Sequence, residues 1–144
     1  MADQMTTRDD TEEVPPAERA VGRDVGHLDA NLVRLRGRIS TAPERRVLPS
    51  GDEVVALRVV VRRPGGDTVD ALDVSVGPGP APGRRPTAGQ VGRRVLAAAE
   101  RLELDARVEV VGELQRRWWQ AGGARRSRLE VRATEVRRTV VPVR

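Results

Sequence analysis

Thr87–Leu102 reads TAGQVGRRVLAAAERL, and its apolar residues Val91, Val95, Leu96, Ala99 and Leu102 recur at the spacing of one helical face. This predicts an amphipathic helix over 87–102, in a chain whose other apolar segments alternate with period two. Working back from it, residues 77–86 (GPGPAPGRRP) form a low-complexity loop. The loop is no phosphate cradle, because its prolines remove backbone donors and no Lys-Ser/Thr follows. Before it, Leu72, Val74 and Val76 alternate with Asp73 and Ser75, predicting a strand over 68–76. A Pro64-Gly65-Gly66 turn joins this to a strand over 53–62, with Val55, Leu57, Val59 and Val61 on one face. Earlier still, Val33, Leu35 and Ile39 alternate with Arg34, Arg36 and Arg38, and Gly37 falls in the apolar phase where a strand bends. Residues 41–51, with Pro43 and a Pro49-Ser50-Gly51 turn, read as a loop.

On the far side of the helix two further strands follow. One covers 107–119 with Val108, Val110, Gly112 and Leu114 in phase. The other covers 127–137 with Leu129, Val131 and Ala133 inside and Arg128, Glu130 and Arg132 outside. Three strands, a helix and two strands is the order of an all-β, five-stranded OB-fold barrel with its helix between strands three and four, a fold often used to bind oligonucleotides. The domain is expected over 27–139, with a short tail at 140–144. Residues 1–26 lack hydrophobic periodicity and contain Pro15-Pro16, so a disordered acidic leader is expected there.

Composition narrows the chemistry. Among 144 residues there is no Cys and a single His, His27, so disulfides, thiol nucleophiles and Cys- or His-rich metal sites are excluded. His27 is expected to be exposed and without a role. No Ser/His/Asp set, metal cluster or phosphate loop is present, and paired acids such as Asp9-Asp10 and Glu12-Glu13 fall in the leader; no catalysis and no cofactor are expected. No apolar run approaches the ~20 residues of a membrane span, and an intracellular, cytoplasmic protein associated with the nucleoid is expected. All 26 basic side chains are arginine. Residues 1–26 hold seven acids and three arginines, net −4, which leaves +9 on residues 27–144 out of a total of +5. A basic body with an acidic leader points to an anionic polymer as partner; for the leader, competition with that polymer at low salt is an alternative to passive disorder, and the sequence does not decide between them.

Trp118 and Trp119 are the only aromatic side chains. They stand between Arg116-Arg117 and, after Gly122-Gly123, Arg125, Arg126 and Arg128. Indoles beside guanidiniums form a platform for bases on a phosphate backbone, each stacked base contributing ~1–3 kcal/mol. Alternation along a strand puts Leu114, Arg116 and Trp118 on one face and Gln115, Arg117 and Trp119 on the other. Trp119 is therefore expected to stack bases, and Trp118 either to do the same or to pack at the barrel end or a subunit contact. Arg34, Arg36, Arg38 and Arg58 are candidate phosphate contacts.

Three segments together carry a resemblance. Asn31-Leu-Val-Arg-Leu-Arg-Gly-Arg-Ile39 with Pro43-Glu44 and Leu48-Pro-Ser-Gly51, Gly112-Glu-Leu-Gln-Arg-Arg-Trp-Trp119, and Leu129-Glu-Val131 with Glu135-Val136 resemble, in this order, the bacterial single-stranded DNA-binding protein family over about residues 31–137. The resemblance implies an OB fold, usually a homotetramer, that wraps single-stranded DNA in replication, recombination and repair. It puts Trp119 at a base-stacking position, Arg117 at a DNA-contacting one and Arg126 near another, while Trp118 takes a place that is usually polar or basic. The chain also departs from the family. Gly65, Asp70, Ala71 and Val76 stand in the regions of its other stacking aromatics. The hairpin loop between strands two and three is reduced to Pro64–Asp67, and the sequence ends Thr-Val-Val-Pro-Val-Arg144 in place of an acidic, Phe-ended tail that recruits partners. A divergent paralogue is expected. Two other readings stay open: an RNA-binding OB domain, and an assembly module whose DNA binding has decayed.

Overall fold

A computed structural model describes residues 29–140. The expected leader over 1–26, His27 and all of the expected tail but Val140 lie outside the described residues. Five strands, β1 (Val33–Val47), β2 (Glu53–Arg62), β3 (Val69–Gly79), β4 (Arg107–Ala121) and β5 (Ala124–Arg138), close a barrel in the order β1-β2-β3-β5-β4. One helix, α1 (Arg93–Glu100), stands between β3 and β4. Every neighbouring pair is antiparallel except β3–β5, which runs parallel over Val74–Val76 and Val131–Ala133. This is the expected OB topology.

The core is built from aliphatic side chains of moderate size. Ile39, Val55, Leu57, Val59, Val74, Val76, Val108, Val110, Val131 and Ala133 point inward from all five strands. Leu96 and Ala99 close the barrel from α1, with Val91 beside them and Val95 and Leu102 at the edge. The helical stripe read from the sequence is thus the stripe that is buried. The helix itself is shorter than expected, because Gly89 takes a left-handed φ of 80° and the Val91 N–H donates to the Pro78 carbonyl at 2.9 Å. Thr87–Gln90 therefore form a turn, closed by the Gln90 N–H donating to the Thr87 carbonyl at 3.0 Å, and α1 begins only at Arg93.

Four strands run longer than expected; β4 and β5 extend to Ala121 and back to Ala124, up to their turn. β1 continues through Thr41–Val47, where a loop was expected; irregularities between Ile39 and Glu44 absorb Pro43 and let Glu44–Val47 pair with Ala56–Glu53. β3 runs on to Gly79. At Gly37 β1 crosses β2 so closely that a Cβ would collide with the Val60 carbonyl, so the glycine marks a close approach of two backbones.

Two carboxylates are taken inside. Glu109, 3 % exposed, accepts hydrogen bonds from Arg36 at 2.5 Å and from Arg137 at 2.7 Å. Arg36 binding, then Arg137, holds its carboxyl below the ordinary carboxylate value, while burial works the other way. Glu53 is bound by Arg45, whose other arm reaches Glu100 at the end of α1, each at 2.7 Å. The second network ties helix to barrel.

A candidate nucleic-acid interface

The barrel's edges decide where the interface lies. β1 pairs with β4 only as far as Val33 against Gly112. There the Asn31 side chain takes over: its Nδ2 donates to the Leu114 carbonyl at 2.7 Å and its Oδ1 accepts from the Leu114 N–H at 2.8 Å. On the other side β3 leaves β5 at Val131. From Gln115 to Glu130, β4 and β5 therefore pair with each other alone and form a two-stranded arm. It turns at Gly122 and Gly123, both with positive φ (57° and 77°), as a two-residue hairpin turn requires.

The pairing register sorts the arm's side chains. Gln115/Glu130, Arg117/Arg128 and Trp119/Arg126 share one face, and Arg116/Leu129, Trp118/Ser127 and Gln120/Arg125 share the other. The second face continues the core phase past the end of the barrel, where nothing covers it. Leu114 and Leu129, expected inside, are 42 % and 51 % exposed for that reason. Trp118 is 52 % exposed and does not pack at the barrel end; the Arg125 guanidinium lies over its ring at 4.4 Å, with Arg116 at 5.9 Å. Trp119, 39 % exposed, carries the Arg128 guanidinium at 5.8 Å.

The face of Trp119 leads into a groove of about 650 Å³. Ala56 and Arg58 of β2 and Asp73 and Ser75 of β3 make its floor. The β1–β2 hairpin with Arg46 makes one wall, and Gln115, Arg117, Arg128, Glu130 and Arg132 make the other. Five arginines thus face three carboxylates, Glu44, Asp73 and Glu130. The polar contacts link them. Asp73 accepts from the Arg58 Nε at 3.1 Å and stands 3.3 Å from Arg128; Glu130 stands 3.9 Å from Arg117; Arg132 donates to the Gly77 and Gly89 carbonyls, each at 3.1 Å. These contacts hold the guanidiniums in place while leaving Arg58, Arg117 and Arg128 about half exposed, at 48 %, 49 % and 46 %, and Arg132 at 26 %.

Of the candidate residues, the structure brings Arg58, Arg117 and Arg128 together in the groove, with Trp119 and Arg126 farther out on the same face of the arm. Arg116, Trp118 and Arg125 lie on the arm's other face. Arg34, Arg36 and Arg38 do not line the groove, and Arg36 and Arg38 are engaged by Glu109 and Asp105. Two groove cations were missed. Period two places Arg132 in phase with Arg128, a legible signal; Arg46 fell in a segment read as loop. Asp70 is held in a two-pronged pair with Arg63 at 3.0 and 2.7 Å. No aromatic residue lines the groove.

No family model and no curated protein matches the chain. Among solved structures it is similar to the Plasmodium falciparum SSB complex with ssDNA, at 16 % identity and a TM-score of 0.57, covering 78 % of this chain and 96 % of that one. The likeness is one of architecture: this chain has an SSB-like OB fold.

Proposed function

We propose that the protein is a non-catalytic single-stranded DNA binder, a divergent member of the family its sequence resembles, acting in the cytoplasm in replication, recombination or repair. The observation that carries this reading is the arginine-walled groove running onto the exposed Trp119 face of the arm. Phosphates pair with Arg117 and Arg132 at the wall, and a base stacks on the indole of Trp119, with Arg126 beside it. That the SSB similar in fold is a complex with ssDNA supports the same ligand here. Duplex DNA does not offer unstacked bases to the ring. The test is a titration with oligo-dT against a duplex competitor, for the native chain and for Trp119→Ala. Tight binding that resists the duplex and weakens in the variant supports the reading; preference for the duplex refutes it.

A second reading, assembly, is favoured by Leu114, Trp118 and Leu129, which stand exposed together on the face away from the groove. Covering them in a homo-oligomer, a tetramer by family resemblance, removes apolar surface from water. Light scattering on the eluting protein tests this: a monomer at all concentrations rejects it.

A further inference from the structure

The groove that would receive a polyanion has a carboxylate on its floor. Asp73 lies between Arg58 and Arg128, with Oδ1 toward the first and Oδ2 toward the second, and it remains 31 % exposed. If its role were only to neutralise two arginines, it would weaken the site for phosphate. The floor also lacks any ring on which a base could lie, since its neighbours are Ala56 and Ser75. What can approach a carboxylate is a donor, and in a single strand the donors are on base edges.

We propose that Arg58, Asp73 and Arg128 form a row that reads base edges and ranks guanine above thymine, an inference resting on the single-strand reading above. In order, the row presents donor, acceptor, acceptor, donor: a guanidinium N–H, the two carboxylate oxygens, a guanidinium N–H. Guanine's Watson–Crick edge, O6, N1–H and N2–H, runs acceptor, donor, donor and complements one guanidinium and both carboxylate oxygens of the row. Thymine offers a single donor, N3–H, between two carbonyls, so one carbonyl oxygen is turned toward the carboxylate. Repulsion by Asp73 keeps phosphates at the walls, on Arg117 and Arg132, which leaves the floor to the bases. Ser75 can serve either kind of edge and does not alter the ranking.

The experiment compares oligo-dT with an alternating thymine–guanine oligonucleotide of equal length, in lithium buffer so that guanines do not assemble into quadruplexes. It uses the full chain and Asp73→Asn, with thermal melts confirming that the variant is folded. The expected result is that the alternating strand binds the native chain roughly tenfold more tightly than oligo-dT, and that Asp73→Asn brings the two within about twofold by strengthening thymine binding and weakening guanine binding. Equal affinities in the native chain, or a variant that shifts both strands alike, would overturn the proposal and leave Asp73 as a clamp on two arginines. Binding of neither strand at low salt would overturn the single-strand reading and this inference with it.

Discussion

Trp118 and Trp119 are adjacent in the chain yet face opposite sides of β4, and their arginine neighbours divide with them: Arg128 over one ring, Arg125 and Arg116 over the other. Only the Trp119 side continues into the groove. Trp119→Ala is expected to weaken oligo-dT binding about 5- to 150-fold, the equivalent of one stacked base, while Trp118→Ala changes it less than threefold. Equal losses in both would place single strands on both faces of the arm. The alternation behind this division was legible in the sequence; the termination of the barrel before Leu114, which leaves both rings exposed, was not, because period two says which side a residue faces and nothing of what covers it. Away from the groove, Glu109 gives a titratable handle on stability. Its carboxyl is depressed in the folded state by Arg36 and Arg137, so its contribution is present above the ordinary carboxylate value of about 4.5 and is lost as pH falls through the lower folded value. Glu109→Gln is expected to lower Tm at neutral pH and to flatten the decline of Tm in acid. Parallel Tm–pH curves for the two proteins would contradict this.

At the scale of elements, the arm and the barrel differ in what holds them. The barrel strands pair on both edges around a core that excludes water, whereas residues 115–130 pair with each other alone. Backbone amides of the arm should exchange with solvent faster than those of β1–β3 by orders of magnitude, since local opening of the arm exposes no core. Comparable protection of both would show the arm to be covered by something. By contrast Leu96→Ala, at 1 % exposure, is expected to destabilise the whole barrel by about 2–5 kcal/mol, measured by urea denaturation. The order of five strands and one helix could be read from periodicity, and β2 was bounded correctly at Glu53 and Arg62. The helix is shorter than its periodicity suggests because Val91 is in helical phase with Leu96 while its N–H bonds to Pro78 across the chain. The second half of β1 was missed because Pro43 signals a loop locally, whereas pairing with β2 is a tertiary contact that absorbs it in an irregularity.

Over the whole molecule, charge sets how binding responds to salt. Of the groove's five arginines, Arg46, Arg117 and Arg132 are left to phosphates, and two to three neutralised phosphates on a single strand give a slope of log K against log salt of about −1.4 to −2. With one indole on the groove side, little affinity remains when the electrostatic part is screened. A slope near zero would mean that arginine–phosphate contacts do not carry the binding. The most direct measurement isolates the ring at the mouth of the groove. In Trp118→Leu the single remaining indole is Trp119, and its fluorescence is followed as oligo-dT is added at low salt. Saturable quenching that duplex DNA does not reverse is the predicted result. An unchanged signal while an independent assay registers bound strand would show that the strand lies elsewhere, and that the groove and its indole are not the interface.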